Sequence, residues 1–301
     1  MALAIGAALA GCGARVHAPL DARHAEGTAG ETSALDVSPA DAPRTAARQV
    51  SLEGGLIAIE LLAPLEPSGP KAAVVGPPAL GRRVIHAGGV AVSYAIDWSR
   101  LGAAPSLDVP ENPTAGQPPL AAESAAVLGE PFFHRIAIAA NAILPRVLDW
   151  LETLPEVDPE RIALVGIGEE GFVVLTAAAH DERVAAVAAL FACGDFAALL
   201  RDSPSGGRGA PLALDPGYAA WLRAESPLAD PRRLIPAPVL LASRRDDPLV
   251  PASCVESSAR ALADTYAPGG AADRVQYLAL PAGDDGQAAA LAWVDHWLFG
   301  R

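Results

Sequence analysis

One stretch constrains this chain more than any other: Ile162-Ala163-Leu164-Val165 followed at once by Gly166-Ile167-Gly168-Glu169-Glu170-Gly171. The first four residues read as a strand that is apolar on both faces. The glycines mark a sharp turn, and the Ala-rich run after Gly171 reads as a helix. A strand with no polar face belongs inside a sheet covered on both sides, which is the situation of a parallel sheet with crossover helices.

The rest of the chain repeats that grammar from Gln49 onward. Leu56–Leu62 alternates loosely, as an edge strand does, and Ala72–Val75 and Val90–Ile96 are short apolar strands bounded by Gly and Pro. A long helix is expected over 134–154, strands over 184–190, 239–242 and 275–280, and helices over 253–266 and 287–298. The fold class is therefore α/β, a mostly parallel central sheet with helices on both faces, spanning about residues 49–301. With 301 residues, half of them apolar, the chain has material for one large domain of this kind.

Charge narrows the partners. A net charge of −13 and a pI near 4.8 exclude nucleic acid as the expected partner, because the 22 Lys and Arg form no run that could follow a phosphate backbone. The pairs Arg82-Arg83, Arg232-Arg233 and Arg244-Arg245 read as solvated or locally paired.

At the N-terminus, Met1–Gly11 is an unbroken run of apolar and small residues, too short to span a bilayer, ending in Leu9-Ala10-Gly11-Cys12. Those four residues resemble the lipobox of bacterial lipoproteins, in which the Cys is acylated. The division that follows is a signal segment at 1–12, a flexible tether at 13–48 and the folded domain at 49–301. The resemblance implies a domain held to a membrane of the bacterial envelope through lipidated Cys12, in the periplasm or outside the cell. An ordinary cleaved signal and a buried apolar segment are the alternatives. Cys193 and Cys254, at the end of an apolar strand and the start of a helix, are expected as two unpaired thiols, although an exported protein could pair them.

The words flanking the glycine turn carry a second resemblance. Val157-Asp158-Pro159-Glu160-Arg161-Ile162 before the strand and His180-Asp181-Glu182-Arg183-Val184 after the helix resemble the α/β-hydrolase superfamily, and within it the dienelactone hydrolases and acetylxylan-type esterases. The resemblance implies a nucleophile elbow, Gly-x-Ser-x-Gly, at 166–170. Gly166 fills its first position, Gly168 stands where the serine belongs, and Glu170 stands where the last glycine is expected, with Gly171 just beyond. Without an Oγ there is nothing for a general base to activate. A shift of the nucleophile to Glu169 would set Ile167 where bulk is poorly tolerated.

The other catalytic positions follow in the same frame. The loop Asp246-Asp247-Pro248-Leu249-Val250-Pro251 matches the one that carries the acid, with Asp247 in its place, although an Asp before Pro is also a common turn. The histidine position, in Pro281-Ala282-Gly283-Asp284, holds Asp284, a poor proton shuttle near neutrality. The loop that would help to form an oxyanion hole reads Gly76-Pro77-Pro78, and proline has no N–H to donate. His17, His24, His86, His134, His180 and His296 all fall elsewhere. Ser243, Ser253 and Cys193 sit at plausible strand ends without an expected histidine beside them.

Three functions stay open at this level, none of which calls for a cofactor. One is a catalytically degenerate envelope lipoprotein that binds or scaffolds an unknown small molecule or protein. Another is an active carboxylic-ester hydrolase with a displaced nucleophile. The last is an acid-lined cation- or amine-binding protein, for which Glu169, Glu170, Asp246 and Asp285 are weak metal-ligand candidates.

Overall fold

The computed structural model describes residues 45–65, 69–103, 130–203 and 215–300. Cys12 with the rest of the first 44 residues, the whole Pro-rich stretch 104–127 and residues 204–214 of the Gly- and Pro-rich one lie outside the described residues.

Eight strands form one sheet in the order β1-β2-β4-β3-β5-β6-β7-β8: β1 (Thr45–Leu52), β2 (Ile57–Pro64), β3 (Lys71–Val75), β4 (Val90–Ile96), β5 (Val157–Ile167), β6 (Val184–Leu190), β7 (Val239–Arg244) and β8 (Val275–Leu280). β1 and β2 are antiparallel, as are β2 and β4, and every pairing from β4 to β8 is parallel. β1 starts at Thr45, so the last residues of the segment read as tether belong to the sheet.

The reason the central strands are apolar throughout is visible in how they split between two cores. On β3, β5, β6 and β7 the residues Val75, Leu164, Val187 and Leu241 face one core, while their neighbours Val74, Val165, Ala188 and Leu240 face the other. The first core is closed by α2 (Glu130–Ile138), α3 (Leu144–Glu152), α4 (Glu169–Ala178), α5 (Phe196–Asp202), α6 (Pro216–Glu225) and α7 (Ala252–Tyr266). The second is closed by α1 (Gly81–His86) and α8 (Gln287–Phe299). Small residues on this second face, Ala72, Ala163, Ala186, Ala188 and Ala242, leave room for the bulk of Trp293 on α8. Each fully buried Val, Leu or Ile in these cores contributes about 1.5–3 kcal/mol.

The helix expected over 134–154 is not continuous. A π turn at Ala139–Ile143 separates α2 from α3, and Pro145 sits in the first turn of α3. Proline has no N–H for the carbonyl four residues back and its ring collides with it, so the helix widens there.

Candidate functional site

The turn after β5 is built by glycines that do different jobs. Gly168 has φ 64° and ψ −125°, and it caps the N-terminus of α4. Its N–H donates to the carbonyl of Leu190 at the end of β6 (2.9 Å), and its carbonyl accepts from Gly171 N–H (2.9 Å). A Cβ on Gly166 would lie 2.2 Å from the Glu170 carbonyl oxygen, and one on Gly171 would lie 2.6 Å from that of Leu190. A Cβ on Gly168 meets nothing within 4 Å. Close approach of strand and helix therefore demands glycine at 166 and 171, and Gly171 rather than position 170 supplies the second close contact. At 168 only the backbone conformation favours glycine, and the space above it is open.

The loops after β6, β7 and β8 gather around this turn. Gly286, at the start of α8, is pressed so closely on Leu190 that a Cβ there would fall 2.1 Å from the Leu190 side chain. Asp284 Oδ1 accepts the Gly286 N–H (2.8 Å), so position 284 sits beside the end of β6 to which Gly168 is bonded. Phe191 N–H donates to the Ala242 carbonyl, and the Arg244 guanidinium lies 5.0 Å from the centre of the Phe191 ring. Asp247 follows on the same loop. Its Oδ1 accepts the N–H groups of Leu249 (2.9 Å) and Val250 (2.8 Å), which fixes the turn leading into α7. Positions 168, 247 and 284 thus share one end of the sheet, and the described structure shows no imidazole among them.

The oxyanion-side loop lies against the same region, since a Cβ on Gly76 would meet the Val165 carbonyl at 2.8 Å. Gly76 spends its N–H on the Val92 carbonyl (2.9 Å), and Pro77 and Pro78 have none. Of the first N–H groups of α4, that of Gly171 is likewise committed, to the Gly168 carbonyl. A cavity of about 120 Å³ opens behind the loop, between Pro77, Leu80 and Val84 on one side and Glu60, Leu62 and Ser93 on the other. It lies beside β2 and β4, and Gly168 is not among the residues that line it.

The acidic residues at this end do not converge on a common point. Glu169 is held by Arg135 of α2 through paired hydrogen bonds of 2.8 and 3.0 Å. Asp246 pairs with Arg244 at 2.8 Å, and Asp285 accepts the Gln287 N–H at 3.0 Å. Among the described residues there is no group of three or more His, Cys, Asp or Glu placed to hold a metal ion. The weak metal candidates Glu169, Asp246 and Asp285 are thus engaged by neighbouring cations or helix N–H groups. Glu170 differs from these: burial of its carboxyl, and then the charge of Glu169, push its pKa up. Tyr94 on β4 is its neighbour, with a phenol held above its ordinary range by burial and then by the Glu170 charge. Neither Arg135 nor Tyr94 carries a sequence signal that ties it to the turn, because both reach it from distant elements.

The alternative nucleophiles are placed as follows. Cys193 and Cys254 form a disulfide, with Cα atoms 5.7 Å apart, which corrects the expectation of two free thiols. The residues lie 61 apart in sequence, and only the packing of α7 beside the loop after β6 makes them neighbours. Ser243 is buried with its hydroxyl 2.8 Å from that of Tyr277. Ser253 is exposed in the first turn of α7. His134 packs against Trp221 and Tyr218, His180 follows the far end of α4, and His86 and His296 are exposed on α1 and α8.

No family model matches the chain, and no curated protein does. Solved structures do. The chain is similar to a CE15 glucuronoyl esterase from Teredinibacter turnerae T7901, with a TM-score of 0.57 and 14% identity over 93% of this chain and 80% of that one. TT1662 from Thermus thermophilus matches with a TM-score of 0.55 and 21% identity over 86% of this chain and all of that one. A puromycin-hydrolyzing peptidase of Mycobacterium tuberculosis matches with a TM-score of 0.57 and 17% identity over 86% of this chain and 40% of the peptidase. The strand order and these likenesses establish the α/β-hydrolase fold.

Proposed function

We propose that this chain is a catalytically degenerate member of the α/β-hydrolase fold, an envelope lipoprotein that binds or scaffolds another molecule. The observation that carries the reading is Gly168: it stands at the apex of the turn with the backbone of an elbow and no side chain to attack a carbonyl. Three further losses agree with it. Asp284 stands in the histidine position, the Gly76 N–H is committed to the sheet, and positions 77 and 78 have no N–H. The packing glycines 166 and 171 persist because the fold needs them whether or not chemistry occurs. The Cys193–Cys254 disulfide favours an oxidising compartment, and with the lipobox-like Cys12 it supports export and anchoring at a membrane surface. No described helix is long and apolar enough to cross a membrane.

The rival reading is an active ester hydrolase with a displaced nucleophile, and it draws on the likeness to a solved glucuronoyl esterase and a puromycin-hydrolyzing peptidase. Fold likeness at this identity is analogy for function. Hydrolysis of short p-nitrophenyl esters by the parent chain and by a Gly168→Ser, Asp284→His double variant separates the two. The expected result is no turnover by the parent and a measurable gain in the variant. Turnover by the parent that a serine-directed fluorophosphonate abolishes would overturn the degenerate reading. Mass spectrometry of the N-terminal peptide tests the anchor, with diacylglycerol on Cys12 expected.

A further inference from the structure

Of the two faces of β2, only one is fully covered. Ile57, Ile59, Leu61 and Ala63 are buried in the first core, whereas Glu60 and Leu62 point to the side of α1. A Cβ on Gly81, the first residue of α1, would lie 2.8 Å from the Leu62 side chain, so helix and strand are pressed together there. Leu62 pairs with Ala91 of β4 and Glu60 with Ser93, which sets the four side chains on one face as two successive rungs. Leu62 is half-buried and Glu60, one rung further along, is exposed, so the cover given by the short α1 ends between them.

The cavity of about 120 Å³ lies where that cover ends. Its walls are hydrocarbon, from Leu62 and Ala91 on the sheet, Val74 on β3, and Leu80 and Val84 on the side of α1. Its mouth is polar, with the Glu60 carboxylate beside the Ser93 hydroxyl, and Glu60 is the one charged residue among the described residues that line it. Neither of these side chains has a hydrogen bond or ion pair with a described residue. Arg82 and Arg83 of α1 are exposed and do not line the cavity.

A carboxylate only accepts hydrogen bonds, and a hydroxyl beside it can accept as well, so the mouth asks for a cation rich in N–H donors. One carboxylate and one hydroxyl are too few oxygens for Ca²⁺, which takes roughly six to eight. A dry apolar cavity only slightly larger than this one accepts benzene, so the space suits a chain of about four carbons.

We propose that this cavity binds a short primary alkylammonium ion, with the charged nitrogen held between the Glu60 carboxylate and the Ser93 hydroxyl and the chain lying among Leu62, Leu80, Val84 and Ala91. The site is separate from the turn at Gly168 and stands whether that turn is degenerate or catalytic, so this binding and the ester assay fail independently.

Titration of the full chain with n-butylammonium chloride, followed by backbone amide NMR shifts, tests the site. Saturable shifts are expected at Gly76, Leu80, Gly81 and Ser93, which border the cavity. Butan-1-ol, with the same chain and no charge, should bind about tenfold or more weakly. Methylammonium, with the charge and almost no chain, should bind tens of times more weakly, at roughly 0.8 kcal/mol for each methylene left unburied. Glu60→Gln, at an exposed position, should leave the melting temperature in place, weaken n-butylammonium binding about tenfold or more and remove its advantage over butan-1-ol. No saturable shift at these residues overturns the proposal. Binding of n-butylammonium that Glu60→Gln leaves unchanged, or that methylammonium or butan-1-ol equals, overturns the ligand class.

Discussion

At the residue scale, the turn after β5 separates two reasons for glycine that look alike in sequence. Gly166 has no room for a methyl group, whereas Gly168 has room but an unfavourable backbone for one. Gly166→Ala should therefore cost on the order of 3 kcal/mol or more by forcing the strand and helix apart. Gly168→Ala should cost about 1–3 kcal/mol, from backbone strain alone. Denaturant unfolding of the two variants checks the ordering, and a larger loss at 168 would contradict it. Glu170 offers a test of opposite sign. A carboxyl whose pKa is raised by folding contributes stability that is present at low pH and is lost as pH rises through the folded-state pKa. Glu170→Gln is therefore expected to raise the melting temperature at pH 7, and the gain should vanish as pH falls below the ordinary glutamate value of 4.5. A variant that melts below the parent at pH 7 would show that the charge is compensated.

At the element scale, the words that flank the turn prove to be local joinery. Asp158 caps the Glu160 N–H and binds Arg161, closing the small turn where β5 leaves register with β3. Arg183 binds Asp181 through bonds of 2.8 and 2.6 Å and reaches Asp149 on α3 at 2.7 Å. Its guanidinium is held more firmly protonated by these partners, the Asp181 hydrogen bonds first. One side chain thus ties the start of β6 to the helix that packs behind β5. Arg183→Met should destabilise the fold by about 1–3 kcal/mol, because Asp149 and Asp181 lose a charged partner in a partly buried site. Urea unfolding measures this, and a change within about 0.5 kcal/mol would mean that the network is as weak as an exposed ion pair.

At the scale of the whole molecule, the loops after β6 and β7 are held together from outside the sheet. The disulfide joins Cys193 to α7, Gly194 N–H donates to Ser258, and the Ser203 hydroxyl donates to the Leu249 carbonyl. Together they brace the loop that carries Asp247. The double variant Cys193→Ser, Cys254→Ser is expected to lose about 2–5 kcal/mol, as removal of a long-range native disulfide does. Both cysteines are buried, so alkylation should label them only after unfolding and reduction. Labelling of the folded, unreduced chain would contradict the pairing.

Period and punctuation in the sequence were enough to mark strands β2 to β8, helices α4, α7 and α8 and the mostly parallel covered sheet, because both-sided burial writes itself into a strand as an unbroken apolar run, whereas β1, α1, α5, α6 and the break between α2 and α3 carried no such mark. The glycine at 168 and the absence of a histidine from 284 were legible for the same reason, as identities at marked positions. What only the tertiary structure decided depends on contacts between residues remote in sequence. The Arg135 clasp on Glu169, the burial that raises the pKa of Glu170, and the pairing of Cys193 with Cys254 across 61 residues are of this kind. The acidic residues that the sequence gathers at one end of the sheet are likewise dispersed among separate arginines and helix N–H groups. Sequence spacing specifies which loop a residue occupies, but the directions in which side chains leave those loops are set by packing.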